Sequence, residues 1–194
     1  MNNPIICVYC GSNEGSDPLY RVAARAAGRA LASRGAGIVY GGGTHGLMGE
    51  VAAAAIAAGV PLTGVVPRRF RSDRSAPPEG ARYLFVETMQ ERKEAMRNLA
   101  DGFIALPGGI GTLDEVAETL MLRSLMFHGK PLALLNAGGF FDPLIECLRA
   151  MTRAGFMKSS LYESILVSKD PEALVETLLG SLASDRRPGI RAME

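Results

Sequence analysis

Short, nearly unbroken apolar runs occur at residues 5–9, 37–40, 62–66, 83–86, 103–106, 132–135 and 165–167, and they alternate with helical patterns along the whole chain. That rhythm is the rhythm of βαβ units. The runs are continuously apolar instead of alternating with polar residues, as expected for strands buried on both faces of a parallel sheet. The pattern predicts a doubly wound, Rossmann-like three-layer α/β sandwich with a mainly parallel sheet of about seven strands.

The polar positions between these runs punctuate the helices. Asp17-Pro18, Asp142-Pro143 and Asp170-Pro171 each place an N-cap acceptor before a proline at the first helical position, where the missing N–H does no harm. Thr88 with Glu91, and Thr112 with Glu115, match the S/T-x-x-E capping box. Gly35, Gly59 and Gly129 are expected to stop helices. Residues 67–80, with three prolines and Arg68, Arg69, Arg71 and Arg74, read as the one long loop, and residues 181–194 as a frayed tail. No internal repeat or dividing linker interrupts the pattern, so residues 1–182 are expected to form one Rossmann-like domain, with 183–194 as its tail.

Composition narrows the function classes. The 194 residues are 47% hydrophobic, enough for a real core. Lys plus Arg number 21 against 20 for Asp plus Glu, so no global basic field calls for nucleic acid, and any anion site must be local. The N-terminus lacks a basic region followed by a long apolar one, which argues against secretion. The apolar stretch 51–58 is too short and alanine-rich to span a membrane. Three cysteines, an odd number, fit a reducing, cytoplasmic compartment. Cys7 and Cys10 spell C-x-x-C, but three apart on a strand they face opposite sides. His45 and His128 have no metal-ligand spacing around them, so no metal or cofactor is expected, and His128 before Gly129 is placed to favour a helix dipole.

Ligands of open α/β sheets gather at the carboxyl ends of strands. Three strand-to-helix turns there are glycine-rich, at residues 10–15, 41–46 and 107–112. The second matches G-x-G-x-x-G through Gly41, Gly43 and Gly46, but the acidic residue expected about 20 positions on is missing. Arg68 and Arg69 could instead face the 2′-phosphate of a dinucleotide, while a tight turn packed closely on its helix accounts for the glycines nearly as well. In the third turn, Gly108, Gly109 and Gly111 clear the approach to a helix N-terminus and Thr112 adds a hydroxyl, which suits a phosphate monoester. No lysine precedes the threonine, so this is not a Walker A loop. A plain capping box at Thr112 and Glu115 would need no substrate, yet it would not need the glycines either. Arg92 and Lys93, in the first turns of the helix after Thr88, stand where a dipole disfavours cations. Either they pair in solvent with Glu91 or Glu94, or they bind an anion beside the glycine turn.

Taken together, Val8-Tyr-Cys-Gly-Ser12, Val39-Tyr-Gly-Gly-Gly43 with Gly46-Leu-Met-Gly49, Met89-Gln-Glu-Arg-Lys93 and Leu106-Pro-Gly-Gly-Ile-Gly-Thr-Leu-Asp-Glu115 resemble the LONELY GUY (LOG) family of cytokinin riboside 5′-monophosphate phosphoribohydrolases, often labelled lysine decarboxylases. The resemblance implies a nucleoside 5′-monophosphate substrate, AMP or an N6-modified AMP, cleaved by water to free base and ribose 5-phosphate. It implies Arg92 and Glu115 as the catalytic pair, with a phosphate turn at Pro107, Gly108, Gly109, Gly111 and Thr112. Lys93 lies beside them, and Gly11, Ser12, Gly42, Gly43 and Met89 complete the substrate site. It further implies a homodimer or larger homo-oligomer, with neither nucleic acid nor membrane as partner. Cleavage develops positive charge on the ribose, so Glu115 is expected to be an ionised stabiliser that also orients water, held ionised by Arg92. A broader purine or pyrimidine nucleotide nucleosidase, or a non-catalytic carrier of molybdenum-cofactor type, would use the same turn. Two departures from the plant-type pattern bear on base choice: Met121 replaces a substrate-contacting threonine, and Arg74 a substrate-contacting glutamate.

Overall fold

The seven apolar runs become β1 (Ile5–Tyr9), β2 (Gly37–Tyr40), β3 (Leu62–Pro67), β4 (Ala81–Val86), β5 (Gly102–Ala105), β6 (Leu132–Leu135) and β7 (Ile165–Ser168) in a computed structural model that describes residues 3–71 and 77–185. They pair in one sheet of order β4-β3-β2-β1-β5-β6-β7, and every pairing is parallel. Parallel neighbours require a crossover between strands. Helices α1 (Pro18–Ser33), α2 (Gly46–Ala57) and α7 (Pro171–Asp185) cover one face, and α3 (Met89–Leu99), α4 (Ile110–Ser124), α5 (Asp142–Arg153) and the short α6 (Ser159–Glu163) cover the other.

Side-chain alternation assigns each central residue to a layer. Ile6, Val8 and Cys10 pack under α1, α2 and α7, whereas Cys7 and Tyr9 pack under α3 and α4. The two cysteines of the C-x-x-C therefore lie on opposite faces, and burial raises both thiol pKa values. Edge strand β4 departs from the continuous burial expected of every strand, since it alternates between intermediate and exposed positions.

Several expected helix signals fall elsewhere. Asp17 and Asp170 do cap, accepting from the backbone N–H of Leu19 and Glu172 at 2.8 Å each. Asp142 does not: Phe141 holds the N-cap position, and the Asp142 carboxylate accepts the Asn136 amide at 2.7 Å. At α3, Thr88 accepts from Glu91 N–H, but the Glu91 carboxylate takes the N–H of Glu87, one residue before the box would place it. Gly35 and Gly59 follow α1 and α2 with positive φ, as expected. Gly129 does not stop α4, which ends five residues earlier at Ser124. There Met126 adopts φ 61°, its N–H bonds Arg123 C=O, and Phe127 N–H bonds Leu122 C=O. This is a Schellman closure built without glycine. His128 consequently sits beyond the helix end, against Phe103, and its pKa is lowered by burial and by Lys130, Arg123 and Arg97, the opposite of a dipole-stabilised cation. Helix α7 runs to Asp185, so residues 181–185 are helical where a frayed tail was expected.

Candidate active site

The chain leaves β1 in opposite directions along the sheet, toward β2 on one side and β5 on the other, and such a switch point opens a crevice at the strand ends. The three glycine-rich turns follow these three adjacent strands. Gly11 N–H donates to Pro107 C=O at 3.0 Å and Met48 N–H to Gly11 C=O at 3.3 Å, so the turns hold one another. Several of the glycines make room that a side chain would fill. A Cβ on Gly41 would collide with the Arg92 guanidinium, and one on Gly108 would overlap the Thr112 hydroxyl and come within 2.9 Å of Gly11 N. In the turn read as G-x-G-x-x-G, Gly43 and Gly46 are likewise crowded by Met48 and by the backbone of Ser12. Close packing within the chain thus accounts for these glycines, and Arg68 is engaged with Glu87 at 2.7 Å.

The Thr112–Glu115 capping box is absent. Helix α4 starts two residues before Thr112, with Gly109 at the N-cap and no side-chain cap bond. Thr112 is the third helical residue and Glu115 the sixth, a turn too deep to cap anything. The N-terminus of α4 is left without a protein carboxylate or hydroxyl as cap, and open space lies beside Gly109 and Gly111. Such an end favours an anion.

Glu115 instead meets Arg92. Arg92 Nη1 donates to Glu115 Oε1 at 3.1 Å and Nε donates to Val65 C=O at 3.1 Å, with the two residues 9% and 7% exposed. The alternative in which Arg92 faces solvent is therefore set aside. Below the pair, Tyr9 and Thr119 share a hydrogen bond of 3.1 Å, and Thr119 donates to Glu115 C=O at 2.8 Å, fixing the helix turn that presents the carboxylate. Arg92 was expected to hold Glu115 ionised, but the balance goes the other way. Burial raises the carboxyl to about 7 against the downward pull of Arg92, with Asp114 adding to the rise. A single 3.1 Å bond does not replace the hydration that burial removes.

The pair faces a cavity of about 260 Å³ walled by Gly11, Ser12, Gly109, Gly111 and Thr112 together with Cys10, Met48 and Ile110. Ser12, Met48 and Arg92 also line a larger space of about 520 Å³ with Gly42, Gly43 and Met89, so the two form one cleft. Pro107 and Gly108 line a third, smaller cavity that shares Gly11, Ser12 and Gly109. Of the expected site residues only Lys93 lines none of these. Its ammonium lies between Asp114 at 2.9 Å and Glu118 at 3.0 Å on α4, and Glu118 also holds Arg97. Met121 is exposed on α4 and lines none of these cavities either. Arg74 lies outside the described residues.

Sequence reasoning missed Thr44, His45, Met48, Val66, Pro67, Phe70 and Tyr83, all in the larger space. The first three adjoin a glycine turn and could have been found by extending it. Tyr83 could not, because only the β3–β4 register, Gly64 opposite Tyr83, brings its hydroxyl to Gly42 C=O at 2.7 Å. Among the described residues no group of His, Cys, Asp and Glu could hold a metal ion, and no helix is long and apolar enough to cross a membrane.

A sequence model of the family described as "Possible lysine decarboxylase" matches residues 48–178. The cytokinin riboside 5′-monophosphate phosphoribohydrolase LOG of Oryza sativa subsp. japonica is 39% identical over 170 residues, covering 88% of this chain and 70% of that protein. A cytokinin riboside 5′-monophosphate phosphoribohydrolase of Arabidopsis thaliana is 35% identical over 173 residues, covering 89% and 81%. Among solved structures, the Moco carrier protein from Chlamydomonas reinhardtii aligns with a TM-score of 0.71 at 23% identity, over 95% of this chain and 99% of that one. The molybdenum cofactor binding protein from Rippkaea orientalis aligns at 0.70 and 22% identity, over 94% and 99%. At such identities the structural likeness speaks for the fold alone.

Proposed function

The chain belongs to the LOG family, and from that premise, with the buried Arg92–Glu115 pair, we propose that it hydrolyses the N-glycosidic bond of nucleoside 5′-monophosphates such as AMP or N6-modified AMP, releasing free base and ribose 5-phosphate. The observation that carries this reading is the pair's position, a buried carboxylate and guanidinium beside the uncapped N-terminus of α4, in one cleft. The phosphate binds at Gly108, Gly109, Gly111 and Thr112, where the helix dipole and free approach favour it. Anchoring there positions the distant C1′–N bond. Ionised Glu115 stabilises the positive charge that develops on the ribose and takes a proton from the attacking water. Arg92, braced on Val65, orients the carboxylate and the ribose.

The lysine-decarboxylase description has little support from the lysines. Lys93 is bound by two carboxylates, Lys130 donates to Arg97 C=O at 2.7 Å, and no lysine lines the cleft. Residues 1–182 act as one domain in this reading, consistent with a single sheet. A homodimer or larger homo-oligomer is supported by the exposed apolar stripe of α4, Ile110, Leu113, Met121 and Leu125, which continues into Met126 and Phe127. Three free cysteines suit the cytoplasm. The test is incubation of the protein with AMP and with N6-isopentenyl-AMP, scoring released base. Release from a wide panel of nucleotides would make it a broader nucleosidase. No release from any monophosphate, with a pterin co-purifying, would replace the hydrolase with a carrier.

A further inference from the structure

A nucleobase leaves poorly as an anion, so cleavage of its bond to ribose is helped by a proton delivered to the base. Glu115 serves the ribose and water, and cannot also serve the far end of the cleft. The groups in the cleft that could donate are few among the described residues. Arg92 is committed to Glu115 and Val65. The Cys10 thiol is buried and its pKa strongly raised. Tyr83 already donates its hydroxyl proton to Gly42 C=O at 2.7 Å. His45 remains, and imidazole is the side chain that most readily passes protons near neutrality.

The setting of His45 suits that task. It lines the larger part of the cleft, which shares Ser12, Met48 and Arg92 with the cavity at the phosphate turn and so offers room for the base of a nucleotide anchored at Gly108–Thr112. It immediately precedes α2 yet makes no side-chain capping bond, so the helix does not use the ring. Its Nδ1 lies 3.0 Å from Thr44 Oγ1, which orients the ring and leaves Nε2 for a ligand.

Resting on the hydrolase reading, we propose that His45 is the proton donor to the departing base. The imidazolium keeps its Nδ1–H on Thr44 and gives its Nε2 proton to a base nitrogen as the C1′–N bond breaks with its electron pair going to the base. The water oxygen bonds C1′, and the proton it sheds goes to the Glu115 carboxylate. One water is consumed, free base and ribose 5-phosphate are formed, and solvent returns the proton from Glu115 to His45.

The test compares AMP with 4-nitrophenyl β-D-riboside 5-phosphate, whose nitrophenolate leaves without protonation. In His45→Ala and His45→Gln the ratio of kcat for AMP to kcat for the nitrophenyl substrate should fall by about 100-fold, the scale of general acid catalysis. Both variants should behave alike, because glutamine can hydrogen-bond but cannot release a proton. An unchanged ratio overturns the role of His45 while leaving the hydrolase standing. Failure of the unsubstituted protein to release base from AMP or N6-isopentenyl-AMP overturns the hydrolase reading itself.

Discussion

Two glutamates in this molecule sit against arginine and titrate in opposite directions. On the surface between α1 and α2, Glu50 accepts from Arg21 Nε and Nη2 at 3.1 and 2.9 Å and from Arg25 Nε and Nη2 at 2.8 and 3.1 Å. Hydrogen bonds from Arg25 and Arg21 pull its carboxyl down to about 2. In the cleft, Glu115 accepts one bond from one arginine, and burial lifts it to about 7. Glu50 faces two arginines near the surface, whereas Glu115 faces one in the interior. Burial and too few donors to replace the lost water together leave Glu115 able to exchange its proton near neutral pH, as a catalytic group must.

The sharpest way to break this contrast is to remove each carboxylate. Glu115→Gln should lower kcat/KM for AMP by about 10³-fold or more, the scale of a lost electrostatic stabiliser at a transition state. Its amide oxygen still accepts from Arg92, so folding should be retained. Arg92→Ala should reduce activity comparably. Glu50→Gln should leave kcat unchanged. Equal activity losses for Glu50→Gln and Glu115→Gln in a base-release assay would erase the functional distinction between the two sites.

Next in size is the pH dependence. Glu115 works ionised and burial raises it to about 7, so the acid limb of kcat/KM should rise about tenfold per pH unit below that value. An acid limb lying near pH 4.5, the ordinary value for a glutamate, would show that the pair is better hydrated than its geometry indicates.

A smaller effect tests the neighbouring charges. Lys93 lowers the Glu115 pKa, although Asp114 and Glu118 hold its ammonium. Glu118→Gln removes one of those counter-charges and exposes Glu115 to more of the Lys93 field. The acid limb should then move toward lower pH by less than about one unit, with the maximal rate little altered. A shift to higher pH would mean that Glu118 acts by positioning α3 against α4 instead.

The strands and layers of this fold follow from apolar runs and turns that can be read locally, which is why residues 37–40 and 132–135 were placed to the residue. The glycine turns were legible for the same reason. The chemistry between them was not. Arg92, Lys93 and Glu115 could be named from their motifs, but which cation turns inward depends on how α3 packs against β3 and α4. Helical spacing alone left Arg92 and Lys93 equivalent. Thr112–Glu115 read as a capping box because the sequence test ignores where the helix begins, and α4 starts at Ile110, two residues before Thr112, with Gly109 as its N-cap. The direction of the Glu115 shift also depends on burial, a property of the assembled layers.

The least visible consequence of the contrast lies in stability. Glu50 has a depressed pKa in the folded state, so its contribution is present above the unfolded value near 4.5 and is lost as pH falls toward about 2. Glu115 has a raised pKa, so its contribution is present below about 4.5 and is lost as pH rises through about 7. Glu50→Gln should therefore be slightly less stable than the unsubstituted protein at neutral pH, with the gap closing under acid. Glu115→Gln should gain on the unsubstituted protein as pH rises from about 4.5 to about 7. Urea midpoints from about pH 2 to about pH 7 measure both. The Glu50 effect should be small because Arg21 and Arg25 are about half exposed, and exposed pairs are weakened by solvent and salt. Adding salt should shrink it further while leaving the Glu115 trend in place. If salt abolished the Glu115 trend as well, water would already reach the Arg92 pair, and burial could not be what sets its titration.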